Sequence, residues 1–224
     1  MPIFVSTVLL AAVAYAAEMP LKVSEVTPAQ SHVRLTNTAS QPVTAWSLAV
    51  TTRAESGRTH REVYTVDGYL SELTHGLPGS SEHRERLMPG QSRQISLDAI
   101  PAGATVDVIA AVLDDRTAIG DPELLREIFA KRASERDGLK AVADAFKEIL
   151  PAKHGAEALT ALKQRFSALV QRDDSTPCRA ALEAVQTFEQ KGTADQIDQS
   201  LRTYADFVAR QYALAAKHAE RRGN

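Results

Sequence analysis

One cysteine, Cys178, in 224 residues leaves the chain unable to close an intramolecular disulfide. Aromatic residues make up only 5% of it, and neither sign of charge dominates, with 26 Lys and Arg against 28 Asp and Glu. That balance supplies no electrostatic footprint for a polyanion, so nucleic acid is not the expected partner. CxxC, HExxH, GxSxG, GxxxxGK[ST] and GxGxxG patterns are also missing, and with them the usual announcements of zinc, nucleophile-elbow and nucleotide-binding chemistry. What remains, 44% hydrophobic and 24% charged residues, is an ordinary globular composition.

The first 17 residues differ from the rest. Pro2 to Ala17 is an apolar run without a charge, and it ends in Ala14-Tyr15-Ala16, a small-x-small pattern that fits signal peptidase. Residues 1–16 are therefore expected to be a cleaved signal peptide, and the protein to be exported, periplasmic or secreted. The run is shorter than the roughly 20 residues a spanning helix needs. It also lacks a Lys or Arg ahead of it, which leaves an uncleaved membrane tether as an alternative. No cysteine follows the run, so a lipoprotein anchor is excluded. In an oxidising compartment the lone Cys178 is expected to be buried.

Two grammars follow. Residues 20–120 carry six prolines between Pro20 and Pro101, together with many β-branched residues and apolar alternation. The spacing predicts strands over 21–27, 31–38, 43–53, 58–66, 92–97 and 105–113, with turns at 37–42 and 55–57. Val33, Leu35 and Asn37 share one face of the second strand; in the third, Val43, Ala45 and Ser47 oppose Trp46, Leu48 and Val50. This is the size of an immunoglobulin-like sandwich. Residues 121–224 then switch to helical periodicity. Asp121-Pro122-Glu123 predicts a helix start, Gly138 a kink or a division of that helix, Pro151 an end, Thr176-Pro177 another start, and Thr193 to Gln196 a capping box. The fold class expected is α+β in two domains: an N-terminal antiparallel β-sandwich, immunoglobulin-like, followed by a C-terminal bundle of four or five helices.

The segment HVRLTNTASQPVTAWSLAV, His32 to Val50, joins two alternating strands through an Asn-rich turn and places Trp46 in the second. It resembles the N-terminal β-sandwich of small exported bacterial proteins and, more distantly, the immunoglobulin-like modules of cell-surface and chaperone proteins. AAVLDDRTAIGD, Ala110 to Asp121, resembles the strand, acidic turn and closing Gly-Asp of the same proteins, with Asp115-Arg116 where they often carry Asp-Gly. The resemblance covers about residues 20–121 and implies fold and secretion. It carries no catalytic residue across, and it implies that Trp46 is a core residue.

Three places invite a site. Asp67 to Gly90 is long for a loop and holds His75, Glu82, His83, Arg84, Glu85 and Arg86; it reads as a mobile loop or an edge strand through 69–73, with a binding loop as the alternative. His60, His75 and His83 are candidate metal ligands with Glu62 or Glu85, although the same alternation belongs to any solvated strand face. Asp114, Asp115, Asp121 and Glu123 carry carboxylates at spacings that suit calcium but lack the EF-hand pattern; a turn and a helix cap are expected instead. The basic end, Lys217 to Arg222, fits a helix C-terminus. No catalytic residue and no cofactor is assigned. The expected function is a non-enzymatic binding or interaction module of the cell envelope, with a protein or envelope component as partner, no nucleic acid, and membrane contact only if the N-terminal segment is uncleaved. Oligomeric state is left open. A metal-dependent or hydrolytic enzyme using the 67–90 loop, and a structural component tethered by an uncleaved N-terminal helix, are the alternatives.

Overall fold

The computed structural model describes residues 18–53, 56–75, 86–173, 175–189 and 193–222. The N-terminal apolar run, Glu82, His83, Arg84 and Glu85 lie outside them. The architecture is α+β: two antiparallel sheets, of three and four strands, and five α-helices among the described residues. The first sheet has the order β1 (Leu21–Thr27), β2 (His32–Asn37), β5 (Ser92–Ser96). The second runs β4 (Thr59–Asp67), β3 (Val43–Arg53), β6 (Thr105–Leu113), β7 (Ala118–Gly120).

Alternation explains the first sheet. Val33, Leu35 and Asn37 are all buried, as the shared face requires, and the Asn37 amide donates to the carbonyls of Gln41 and Leu87. Val33 and Leu35 join one apolar cluster with Trp46, Leu48, Val50 and Val106 of the second sheet. Strand β3 departs from simple alternation in two ways. A register shift between Val43 and Ala45 brings Val43 into the cluster of Trp46, so it does not oppose Trp46. The other face of β3 is buried too: Ala45 packs with Ala110 and Val112 of β6 against Leu125 and Ile128 of a helix. Small residues on that face let the helix approach.

That helix is α2 (Pro122–Ile149), and its start is built as the sequence implies. The Asp121 carboxylate accepts from the backbone N–H of Glu123 at 3.0 Å and of Leu124 at 3.4 Å, with proline in the first turn. Asp121→Ala is expected to lower stability by about 1 kcal/mol, read as a smaller urea midpoint; no change would mean that Pro122 alone fixes the start. Just ahead of the cap, Gly120 sits at φ +115°, and a Cβ there would meet the Ile109 carbonyl oxygen and the Ala110 Cα of β6. Helix α2 runs unbroken through Gly138, where a Cβ would meet the Ser175 Oγ at 2.6 Å; the glycine serves close approach and makes no break.

Helices α3 (Gly155–Arg172), α4 (Thr176–Phe188) and α5 (Ala194–His218) follow. Thr193 and Gln196 form the capping box at the head of α5. The stripes of α2 to α5 share one cluster that includes Phe146, Leu162, Phe166, Val185 and Leu201. Cys178 is buried there, where burial pushes its thiol pKa up against the opposing hydrogen bond of Ser175.

The strand expected through 69–73 is instead helix α1 (Gly68–His75). The Asp67 carboxylate caps it, accepting from the N–H groups of Tyr69 at 3.1 Å and Leu70 at 3.2 Å. Tyr69 and Leu73, one helical turn apart, are buried in the cluster of α2 to α5, so helix α1 packs with the helices although it follows a strand. Leu87 bridges to Val43 and is fully buried.

Candidate functional site

Helix α2 presents an arginine on its apolar stripe, and the surrounding elements are arranged around it. Arg132 is only 1% exposed. Its Nε donates to Asp67 Oδ2 at 2.7 Å and its Nη2 to Asp67 Oδ1 at 3.0 Å, a two-pronged pair. Nη2 also donates to Thr44 Oγ1 at 3.1 Å, while that hydroxyl donates to the Val112 carbonyl. The guanidinium carbon lies 5.1 Å from the Tyr69 ring centre and 5.7 Å from that of Phe129. One cation thus ties β3, β4, α1 and α2 together.

His218, the last residue of α5, closes this junction with its ring 4.4 Å from that of Tyr69. Arg132 Nη1, Tyr69 Oη and His218 Nδ1 are buried and have no hydrogen-bond partner among the described residues. Burial pushes the Tyr69 hydroxyl pKa well up, opposed in part by the Arg132 cation. Burial lowers the His218 pKa; the Asp114 carboxylate opposes this, and the Arg132, Arg86 and Arg116 cations add to it. The folded state therefore keeps this imidazole neutral where the free ring takes a proton. Its contribution is whole above the unfolded value of about 6.5 and is lost as pH falls through the lower, folded value. Urea midpoints of the wild type are expected to drop more steeply below about pH 6.5 than those of His218→Phe; parallel slopes would remove His218 as the cause.

The acidic candidates each have a partner of their own, Glu123 pairing with Arg126. Asp114 binds Arg86, which also binds Glu72 at 2.8 Å. Asp115 accepts from the Thr117 N–H and pairs with Arg222 at 2.7 Å, and Asp121 caps α2. The turn and cap expected of these residues are what forms. No group of three or more His, Cys, Asp or Glu able to hold a metal occurs among the described residues. Of the candidate ligands, His60 lies on the exposed edge strand β4, 3.1 Å from Glu62. His75 ends α1 with its side chain outside the described residues, and His83 is outside them entirely. The basic end is not merely a helix terminus: Arg221 donates to the Ala118 carbonyl and the Arg222 N–H to that of Arg116, tying the end of the chain to the β6–β7 turn.

Beside the junction, α2, α4 and α5 leave a cleft of about 370 Å³. Leu139, Val142 and Val208 are its buried apolar residues, with Pro177 and Ala184 on α4 and Leu73 contributed by α1. Tyr204 and Phe207 of α5 stack at 5.9 Å on its border, and Tyr204 meets Phe146 and Phe188 edge-on. Burial, with the Glu183 carboxylate adding to it, pushes the Tyr204 hydroxyl pKa up to about 12. Three further polar side chains matter. Gln211 is 6% exposed, and its Oε1 is buried without a partner among the described residues. Glu135 and Glu183 border the same cleft, which no basic side chain among the described residues lines. Burial raises the Glu135 carboxyl pKa, and no cation among the described residues pairs with it. Glu135 and Thr176 also border a second, more polar cleft of about 370 Å³ beside Asp67, Glu127 and Lys131, so the two abut.

No family model, curated protein or solved structure matches the chain. The arrangement therefore speaks through its chemistry: an apolar slot with aromatic faces, a lone buried acceptor and a half-buried carboxyl. Sequence reading missed Arg132, Glu135 and Gln211. Their signal was a polar residue standing in an apolar stripe, Arg132 and Glu135 in the row Ile128, Leu139, Val142, and Gln211 in the row Leu201, Tyr204, Val208, Ala215.

Proposed function

We propose that the chain is an exported, non-enzymatic binding module of the cell envelope. Its residues 20–120 form an immunoglobulin-like β-sandwich, its residues 121–224 a helical bundle, and the ligand enters the cleft between α2, α4 and α5. The strand orders β1-β2-β5 and β4-β3-β6-β7 support the sandwich reading, because they follow the A-B-E and C′-C-F-G arrangement of such domains, with Trp46 buried at the strand C position. Export rests on the apolar run 2–17 and its Ala14-Tyr15-Ala16 end.

The observation that carries the binding reading is Gln211 Oε1. A buried acceptor left unpaired costs about 1–3 kcal/mol, and here it stands beside an apolar cleft of the size small ligands occupy. Oε1 is closed to solvent in the structure, so a ligand donor in the cleft reaches it through a turn of the Gln211 amide, and that bond removes the cost. The test is native mass spectrometry of the protein purified from its exporting cell, beside Ala184→Trp, which fills the cleft. A small-molecule adduct on the wild type that is absent from the variant supports the reading. A stoichiometric metal, or an adduct indifferent to Ala184→Trp, overturns it. The same spectra report whether the chain starts at Ala17.

A further inference from the structure

We propose that this cleft takes a small amphiphilic cation, an apolar or aromatic body carrying a protonated amine, with the ammonium at the Glu135 carboxylate and accepted by Gln211 Oε1 once the Gln211 amide turns toward the cleft. The proposal rests on the binding reading above and names the class of ligand.

Charge complementarity sets the sign. Among the described residues, the charged side chains bordering the cleft are Glu135 of α2 and Glu183 of α4, both acidic, and none of them is basic. An anionic ligand would enter against two carboxylates, in surroundings where apolar walls reduce screening. Hydrogen-bond chemistry sets the group. Gln211 Oε1 only accepts, so a ligand without an N–H or O–H donor leaves the buried oxygen as it is. An ammonium supplies three donors and a full charge to the half-buried Glu135, which has no other cation among the described residues. The remaining walls set the body. Leu139, Val142 and Val208 are apolar, and the stacked Tyr204 and Phe207 rings offer the flat, electron-rich surfaces that accept either an aromatic body or the cation's own methylenes. A cleft of about 370 Å³ has room for a ring with a short side chain.

The experiment is isothermal titration of the full mature chain at pH 7.5 with three probes of matched shape: 3-phenylpropylamine, 3-phenylpropanol and 3-phenylpropanoate. The amine is expected to bind about tenfold more tightly than the alcohol, with the carboxylate weakest. Glu135→Gln is expected to remove that tenfold preference and to leave alcohol binding unchanged. Gln211→Leu should weaken the amine and the alcohol alike, because both donate to Oε1. Alcohol and amine binding equally, or a preference that survives Glu135→Gln, overturns the cation proposal while the cleft remains a ligand site. If none of the three binds, or if Ala184→Trp leaves binding untouched, the binding reading itself falls. Circular dichroism of each variant separates lost binding from lost folding.

Discussion

Replacing Arg132 by alanine is expected to lower the stability of the full chain by about 3–5 kcal/mol. The reason is the group left behind. Asp67 is 10% exposed in the pair, and without the guanidinium its carboxylate loses both side-chain donors that hold it, Arg132 Nε and Nη2. Two backbone N–H groups of α1 still reach it, which keeps the loss from growing further. Asp67→Asn retains an oxygen for that cap and should cost less than the arginine change. Adding Asp67→Asn to Arg132→Ala should recover part of the loss, since the stranded charge is gone. Urea denaturation of the four proteins gives the cycle. A loss under about 1 kcal/mol for Arg132→Ala would mean that water reaches the pair.

Gly120→Ala is the second large effect, at about 3 kcal/mol or more. Two penalties coincide at this position. A φ of +115° is strained for any residue with a Cβ, and the new methyl would press on the Ile109 carbonyl and the Ala110 Cα. Both are backbone atoms of a central strand and have no side-chain freedom with which to move aside. Relief requires β7 to part from β6, which breaks the bond from the Asp121 N–H to Ile109 O at 2.8 Å and unseats the cap of α2. Gly103→Ala is the control: its φ is +78°, yet nothing lies within 4 Å, so only the backbone strain of about 1 kcal/mol applies. Equal melting points for the two variants would show that β7 gives way at no cost.

Much of the scaffold was legible because it obeys short-range rules. Strands β1, β3 and β6 begin just after Pro20, Pro42 and Gly103 and have the bounds that alternation predicts, and α2 and α5 begin at caps that can be read directly from Asp121 and Thr193. What escaped depends on partners distant in the chain. Strand β7 has three residues, too few for a period, and exists through its ladder with β6. Helix α1 has eight, and Tyr69 reads as a strand former until the Asp67 cap and the helical cluster around it are seen. The candidate site was illegible for a related reason. Histidines and clustered carboxylates drew notice as ligands, whereas the residues that matter were single polar interruptions in apolar stripes, whose meaning comes only from what faces them.

The Arg132 pair also orders events in time. Asp67 precedes its cation by 65 positions, so a chain made from its N-terminus at roughly 5–20 residues per second displays the carboxylate for about 3–13 s before the guanidinium exists. Throughout that interval both strands of the β3–β4 hairpin are present but the lock on its end is missing. Tyr69 waits longer still, for the His218 ring. Burial of α1 needs α5 as well as α2, because Tyr69 meets the His218 ring and shares a cluster with both helices, so that corner cannot close before residue 218 is present.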